Sequence, residues 1–387
     1  MKKYLGKNNK FTLIYIFVCS VIFFSILLFG WINTWKILSI GYIYPPFNDL
    51  RVLPLALNVT KQGLDPYMHV LLEGTSWYFN YPLIWILIAD FFKLNLEYNF
   101  LIFAISNVFI YLLVCYLFLK KYPSIWILVT LFSGSSLLCV ERGNVDIIIF
   151  YITYLAIISP VIFRIFLIFF SSILKIYPIF LFVICYKNKF FLFTLLSFFA
   201  MYFLFNFDEF LISKNNTPIS AINSYGTPTI SYLIDRIFKI KINYWIINIC
   251  FIIFCLILFK KKKIRKIISY KIYNEQISIF FLAGASIYLG TFLFSGNFVY
   301  RLIFVIFCIP LVEKILNIKF RYLTLILILL ASNDSILFYN VFSVPIAVLI
   351  NVTCTSLLFI IIGLLMLKEL INILKIYKLN RIVKFFN

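Results

Sequence analysis

Histidine and acidic residues are scarce in this chain of 387 residues, which contains one His and 14 Asp or Glu against 35 Lys or Arg. The eight Cys stand singly, mostly inside apolar stretches, and no CxxC pair occurs. A metal centre or a disulfide framework needs clusters of such residues, so neither is expected and the Cys residues are interpreted as packing groups. No cofactor is predicted.

Polar segments long enough to fold as a soluble domain are also missing. Hydrophobic residues make up 64% of the chain, and runs of about twenty apolar residues, the length that crosses a bilayer, recur along it. The sequence therefore predicts an all-α polytopic membrane protein with one integral domain over residues 1–387. The formal charge of +21 would favour nucleic acid in a soluble domain, but in this class it reports topology. Membrane lipids, and no nucleic acid, are the expected partners.

The first apolar run, residues 11–32, is interpreted as a retained span, because it is too long for the core of a signal peptide and lacks a small-residue cleavage site. The Lys residues that precede it place the N-terminus in the cytoplasm. Residues 81–94 are short for a span and are predicted to form a re-entrant or interfacial hairpin. About twelve spans are predicted, at 11–32, 98–119, 124–140, 145–159, 161–175, 177–186, 190–207, 244–259, 277–294, 300–316, 321–337 and 345–368.

The positions of the positive charges test the number of membrane crossings before each loop, and thus the side of the membrane on which the loop lies. If the hairpin does not cross, the basic clusters at 120–121, 187–189, 260–271 and 314–321 and the C-terminal tail all lie in the cytoplasm, where an excess of Lys and Arg is expected. The same count of crossings makes Lys175-Ile176-Tyr177-Pro178 the apex of a broken helix pair, and a Pro shortly after a helix end fits that arrangement. We expect a plasma membrane protein with both termini cytoplasmic and outer loops at 33–80 and 208–243.

Four polar insertions then reach the same outer side of the membrane. They are Asn48-Asp49-Leu50-Arg51, Glu141-Arg142-Gly143-Asn144-Val145-Asp146, Lys175, and the segment from Asn297 to Arg301. Charges at membrane depth are costly, and they tend to be paired and functional. If the protein has chemistry, these insertions are the candidates for it.

Simpler interpretations of the same residues stay open. Asp49 could pair with Arg51 or cap a helix. Glu141 and Arg142 could form a loop ion pair, and Lys175 could snorkel from a helix end. Asn297 and Arg301 could be a turn and an interface anchor. The only His, His69, could be a solvated loop side chain.

These insertions, in this order, resemble the integral-membrane glycosyltransferases of the C superfamily, and most closely glycosyltransferase family 87, whose members use polyprenyl-phosphate sugars such as polyprenyl-phosphate-mannose. The resemblance covers roughly residues 1–315. It is carried by Asp49 with Arg51, Gly63-Leu64-Asp65-Pro66-Tyr67, Asn80-Tyr81-Pro82, Glu141-Arg142-Gly143-Asn144, Leu174-Lys175-Ile176-Tyr177-Pro178 and Asn297-Phe298-Val299-Tyr300-Arg301. The sequence departs from it at Tyr81-Pro82-Leu83, where relatives often have a second Pro.

The resemblance implies the glycosyltransferase C architecture and an extracytoplasmic active site. It also implies transfer of one sugar, a mannose or another hexose or pentose, from a polyprenyl-phosphate donor to a lipid or cell-envelope glycan acceptor. Such a transfer needs a base for the acceptor hydroxyl and positive charge for the departing phosphate. The resemblance makes Asp49 the base, and Arg51 nearby is expected to favour its ionised form.

Lys175, Arg301 and Arg142 are predicted to bind the donor phosphate, and direct displacement at the sugar C1 implies inversion there. No metal is predicted, although Asp49 with an outer carboxylate such as Glu141 could hold one. The other predicted substrate-binding residues are Arg51, Asp65, Tyr67, Asn80, Tyr81, Glu141, Asn144, Tyr177, Asn297 and Tyr300.

Two other functions stay open. A flippase for lipid-linked saccharides, or another transporter, would also be polytopic and basic, and the polar pair Asn333-Asp334 favours it because transporters carry polar groups near the bilayer midplane. A surface-polysaccharide polymerase would carry outer loops rich in Arg, whereas residues 208–243 contain Arg236 alone. The sequence leaves the sugar, the acceptor and the oligomeric state open.

Overall fold

The structure is a computed structural model that describes residues 2–70, 78–186, 189–217, 223–270, 274–294, 297–333 and 342–386, and no side chains of residues 2–9, 189, 191 and 376–386. Over these residues the chain is almost entirely helical. The α-helices are α1 (Lys2–Ile37), α2 (Asn48–Lys61), α3 (Pro66–His69), α4 (Ile84–Phe91), α5 (Phe100–Lys121), α6 (Ile125–Leu131), α7 (Gly134–Arg142), α8 (Asp146–Ile158), α9 (Val161–Leu174), α10 (Lys189–Phe205), α11 (Phe207–Asn216), α12 (Thr227–Phe238), α13 (Tyr244–Lys260), α14 (Lys262–Ile267), α15 (Glu275–Phe294), α16 (Ile309–Val312), α17 (Ile318–Ser332) and α18 (Val344–Phe386).

Two 3₁₀ helices and one short sheet complete the described chain. The first 3₁₀ helix is Tyr177–Cys185, after α9, and the second is Val299–Cys308, before α16. Strand β1 (Ser224–Tyr225) pairs antiparallel with strand β2 (Asn297–Phe298), with Ser224 opposite Phe298 and Tyr225 opposite Asn297. This pair joins the segment after α11 to the start of the second 3₁₀ helix.

Five of the described helices are long and apolar enough to cross a membrane. They are Lys10–Ile37 within α1, all of α5, the stretch Ile125–Arg142 formed by α6 and α7, all of α15, and Val344–Lys375 within α18. The number rises to six if the bent pair of α10 and α11, which meet at 75°, is one span. This confirms the predicted class, an all-α polytopic membrane protein. Four of the other predicted spans, at 145–159, 161–175, 244–259 and 300–316, coincide with shorter apolar helices. The end of the predicted span 321–337, from residue 334 on, lies outside the described residues.

The chain reverses direction at Lys175 and Ile176, where Pro178 breaks the helical run. Far from this turn, Arg164 of α9 donates from Nη1 to the carbonyl oxygen of Ile184 at 3.1 Å, so α9 and the first 3₁₀ helix lie antiparallel. Arg164 also donates to the carbonyls of Ala156 and Ser159 at 3.0 and 3.1 Å. A buried guanidinium therefore binds the C-terminal ends of two neighbouring helices, where carbonyl groups are left without helical partners.

Helix α15 lies at the centre of the described fold, and its glycines let the two 3₁₀ helices approach it closely. A Cβ atom on Gly290 would lie 2.1 Å from the Phe180 ring, and one on Gly284 would lie 2.6 Å from the carbonyl oxygen of Phe304. Both distances are too short for any side chain. Both 3₁₀ helices, which begin with Tyr177 and Val299, therefore pack closely against α15.

Residues 81–94 contain helix α4, which has eight residues and is about 12 Å long at 1.5 Å per residue. That length is well below the roughly 30 Å of a bilayer core. After α4 the Asn99 side chain donates to the carbonyl oxygens of Phe92 and Lys93 at 3.2 and 2.9 Å and closes a turn into α5. Residues 208–243, expected to be an open loop, instead contain α11, β1 and α12.

Candidate functional site

Asp49 is positioned by the first turn of α2. The residue before this helix, Phe47, has a left-handed backbone conformation, with φ of 59°, and packs against Gly143 at the end of α7. Gly143 itself has φ of 58°, and a Cβ atom on it would lie 2.9 Å from Cβ of Phe47. Only Gly fits this position, so the turn after Arg142 holds the start of α2 against α7. Asp49 is 9% exposed, at the helix end that favours a negative charge.

Asn144 connects Asp49 to the rest of the polar cluster. Its Nδ2 donates to Oδ2 of Asp49 at 2.6 Å. Its Oδ1 accepts from the backbone N–H of Asp146 at 2.9 Å and from Nζ of Lys175 at 3.4 Å. The amide is 1% exposed, and its orientation is fixed by a carboxylate on one side and donors on the other. The predicted base and one of the predicted cations are therefore one side chain apart.

Burial raises the pKa of the Asp49 carboxyl above its ordinary value, since the charged form loses its hydration. The positive charge of Arg142 opposes this rise most, followed by the hydrogen bond from Asn144 and the charge of Lys175. Arg51 was the cation expected to favour the ionised carboxylate, whereas Arg142 is the cation that lowers this pKa most. Arg51 instead places its guanidinium 5.6 Å from the centre of the Phe100 ring.

Asp146 holds two of the three predicted phosphate-binding cations, Lys175 and Arg301. Its Oδ1 accepts from Lys175 Nζ at 2.5 Å and from the Tyr177 hydroxyl at 2.8 Å, and its Oδ2 lies 3.4 Å from Nε of Arg301. The carboxylate is fully buried. Two cations against one carboxylate leave an excess of positive charge in this part of the site, which suits an anionic ligand.

Sequence reasoning did not select Asp146 as a site residue. The sequence prediction assigned no acidic partner to Lys175 or Arg301. The partner comes from α8, more than twenty residues away from either cation. One feature of the sequence could have indicated Asp146. It is one of few acidic residues in the chain, and it stands two residues after Asn144, in the first turn of a helix.

Arg301 is held by the short sheet and by an aromatic ring. Its Nη1 donates to Oδ1 of Asn297 on β2, and its guanidinium carbon lies 5.1 Å from the centre of the Tyr177 ring. Asn297 is 1% exposed and donates to the carbonyl of Thr291. Tyr300, next to Arg301, lies within electrostatic reach of Asp49. The sheet thus brings Arg301 to the same cluster as Asp49, Asn144 and Lys175.

Glu141 and Arg142 form the ion pair that the simpler interpretation describes, with Arg142 Nε 3.0 Å from Glu141 Oε2. Oε1 of Glu141 accepts from the backbone N–H of Ile43 at 3.0 Å, and Arg142 donates to the carbonyl of Gly41 at 3.3 Å. Both side chains therefore bind the segment that leads from α1 to Asp49. They hold the segment that precedes Asp49 in place.

Asp65, Tyr67 and Asn80 form a second group, tied to α11. Asp65 caps α3 by accepting from the Tyr67 backbone N–H at 2.9 Å, and the Tyr67 hydroxyl donates to the carbonyl of Tyr81 at 3.0 Å. The Asn80 carbonyl accepts from Ser213 of α11 at 2.5 Å. Tyr81 links this group to the first, because its ring centre lies 5.4 Å from Nζ of Lys175.

Two further residues discussed above have simple surroundings. His69 is exposed, and its Nδ1 lies 2.9 Å from the carbonyl oxygen of Asp65. Asn333 accepts from the backbone N–H of Gly134 at 2.8 Å, at the start of α7. Its neighbour Asp334, named with it for the transporter alternative, lies outside the described residues.

Within the described ranges, no group of three or more His, Cys, Asp or Glu side chains is placed to hold a metal ion. Comparison with known protein families, with curated proteins and with solved structures found no match for this chain. The arrangement itself therefore has to carry any functional conclusion. On one side of Asn144 lies the buried carboxylate of Asp49. On the other side lies the carboxylate of Asp146, which binds Lys175 and Arg301.

Proposed function

We propose that this protein is an integral-membrane glycosyltransferase that moves one sugar from a polyprenyl-phosphate donor to a lipid or glycan acceptor on the extracytoplasmic side. The observation that carries the proposal is the link through Asn144 between the buried carboxylate of Asp49 and the cation Lys175. The resemblance of the motif order to glycosyltransferase family 87 supplies the donor class. A twelve-span glycosyltransferase C architecture in the plasma membrane, with cytoplasmic termini, belongs to the same proposal.

In the proposed reaction the acceptor hydroxyl oxygen attacks C1 of the donor sugar, and Asp49 takes the hydroxyl proton. The bond between C1 and the phosphate oxygen breaks, and its electron pair leaves with the polyprenyl phosphate. The product sugar has inverted configuration at C1. A carboxylate whose pKa is raised is a stronger base than an ordinary one, so burial of Asp49 supports this role.

Lys175 and Arg301 are the proposed partners of the donor phosphate. A phosphate that approaches this pair meets two donors already oriented by Asp146, so little ordering is left for the moment of binding. Tyr177 and Tyr81 flank Lys175 with their rings, and Arg142 adds positive charge near Asp49. The guanidinium of Arg301 can grip a phosphate by two parallel hydrogen bonds.

The test is transfer of labelled sugar from polyprenyl-phosphate donors by purified wild type and Asp49→Asn, at matched thermal stability. Asn keeps the shape and the contact with Asn144 but removes basicity, so turnover should fall by about a hundredfold to ten-thousandfold. Donor binding should be retained. Asp90→Asn is the matched control, because Asp90 of α4 forms an exposed ion pair with Lys61 of α2 and its loss should leave turnover unchanged.

Lys175→Gln and Arg301→Gln should weaken donor binding more than acceptor binding. Near-normal turnover of Asp49→Asn would move the base to Glu141 or Asp65. Absence of transfer by the wild type across several donors would contradict the proposal and favour the transporter alternative, which uptake of a labelled lipid-linked saccharide into proteoliposomes would then test.

A further inference from the structure

An apolar groove of about 440 Å³ lies between α1, α5 and the stretch formed by α6 and α7. Among the described residues that line it, none is charged. The Tyr15 hydroxyl on its wall is already satisfied, since it donates to the carbonyl of Leu112 at 3.0 Å and ties α1 to α5. The lining therefore favours hydrocarbon over a charged ligand.

The groove opens sideways between two helices that are long and apolar enough to cross a membrane. At this opening, Phe23 and Leu27 of α1 are 58% and 63% exposed, and Leu101 and Ile105 of α5 are each 53% exposed. Large hydrophobic side chains are exposed on both sides of the opening, on α1 and on α5. Such a surface is suited to contact with the lipid of a bilayer. A hydrocarbon chain can enter from the lipid phase without crossing water.

One end of the groove lies next to the segment that carries Asp49. Trp31 and Phe47 line this end, with ring centres 4.7 Å apart, and Phe47 is two residues before Asp49. Val140 completes this end, next to Glu141. Lys175 and Arg301 lie beyond Asn144, at the end of α9 and on the second 3₁₀ helix, and neither element lines the groove.

We propose that this groove holds the hydrocarbon tail of the acceptor, and hence that the acceptor is a lipid-linked alcohol. The inference rests on the proposed function, in which the base contacts the acceptor hydroxyl and the cations contact the donor phosphate. A tail that ends at Asp49 carries the attacking hydroxyl. The tail of the donor begins at its phosphate, on the other side of Asn144, and a soluble glycan acceptor would leave the groove unused.

The test uses a photoreactive long-chain alkanol as the probe, with the purified full chain in phosphatidylcholine nanodiscs. Cross-links should concentrate on the walls formed by α1, α5 and α7. Val108→Trp fills the groove from α5, and Cys19→Trp fills it from α1, so each should reduce labelling about tenfold, equal to about 1.4 kcal/mol. Phe109→Trp is the control, because Phe109 is 66% exposed on the same helix and does not line the groove.

Binding of a polyprenyl-phosphate sugar should be unchanged in Val108→Trp, while the KM for the alkanol as acceptor should rise about tenfold. Loss of donor binding in that variant would overturn the proposal and assign the groove to the donor tail. Uniform labelling of all lipid-facing helices would overturn it in favour of bulk bilayer lipid. Localised labelling without any sugar transfer by the wild type would instead contradict the proposed function and leave the groove as a lipid-alcohol site.

Discussion

Replacement of Asp146 by Asn should cost more stability than any surface charge change, because it removes the carboxylate shared by two buried cations. Lys175 and Arg301 lie 2.5 and 3.4 Å from its two oxygens. The Asn side chain keeps the shape and can still accept from Tyr177, so the change isolates charge from volume. Breaking one side of a buried ion pair costs about 3–5 kcal/mol, since the remaining charge stays buried without compensation.

The free energy of unfolding, measured by titration with sodium dodecyl sulfate in mixed micelles, should fall by that amount in Asp146→Asn. The exposed pair of Asp90 with Lys61, at 3.1 Å, provides the control. Asp90→Asn should cost less than about 1 kcal/mol, because water screens both groups. The two measurements share the substitution and the assay and differ in burial.

A second variant makes the reasoning refutable even if Asp146→Asn folds poorly. Asp146→Asn combined with Lys175→Met removes one of the two uncompensated cations and should recover part of the lost stability. Arg301 keeps its contacts with Asn297 and the Tyr177 ring. No recovery, or a cost of Asp146→Asn equal to that of Asp90→Asn, would mean that the cluster is not held by charge.

Three further predictions follow from the site and the charge pattern. The raised pKa of Asp49 places the acidic limb of kcat/KM above the ordinary Asp value of about 3.9, so the rate is lost as pH falls through that raised pKa; a limb at or below 3.9 would contradict it. Gly143→Ala should lower turnover and should reduce the free energy of unfolding by more than the about 1–2 kcal/mol that a left-handed residue costs. Gly63→Ala, whose Cβ meets no atom within 4 Å, should lose stability through that backbone strain alone. Equal losses in the two variants would mean that the contact with Phe47 does not contribute. Lys263→Cys on a cysteine-free background should resist an impermeant thiol reagent in intact cells, and labelling would overturn the predicted orientation.

The class of fold could be predicted because hydropathy is a property of single segments. The apolar runs at 98–119 and 277–294 correspond to α5 and α15, and Pro178 correctly indicates a chain reversal after Lys175. The short sheet could not be predicted in this way. Its strands have two residues each and lie more than seventy residues apart, and they pair only because the fold brings the segments together.

The members of the polar cluster could be predicted from the sequence better than the pairings among them. Asp49, Asn144, Lys175 and Arg301 were named from their motifs, and the structure brings them into one cluster. Which charge meets which depends on helix packing, so Arg142 rather than Arg51 acts on Asp49, and Asp146 escaped notice as the partner of both cations. Side-chain pairing between distant segments leaves no local pattern in one sequence.

The cluster around Asp146 also has a consequence for how the protein is made. Its charges enter the membrane in chain order, with Asp146 on α8 first, Lys175 after α9 next, and Arg301 only after α15 has been inserted. The early carboxylate can be neutralised by Lys175 as soon as the helix pair forms, which lowers the cost of holding it in lipid. Arg301 is inserted last, when its partner Asp146 is already in place. A nascent chain stopped before the second 3₁₀ helix would carry the balanced pair of Asp146 and Lys175, and only a chain that includes Arg301 would carry the second cation.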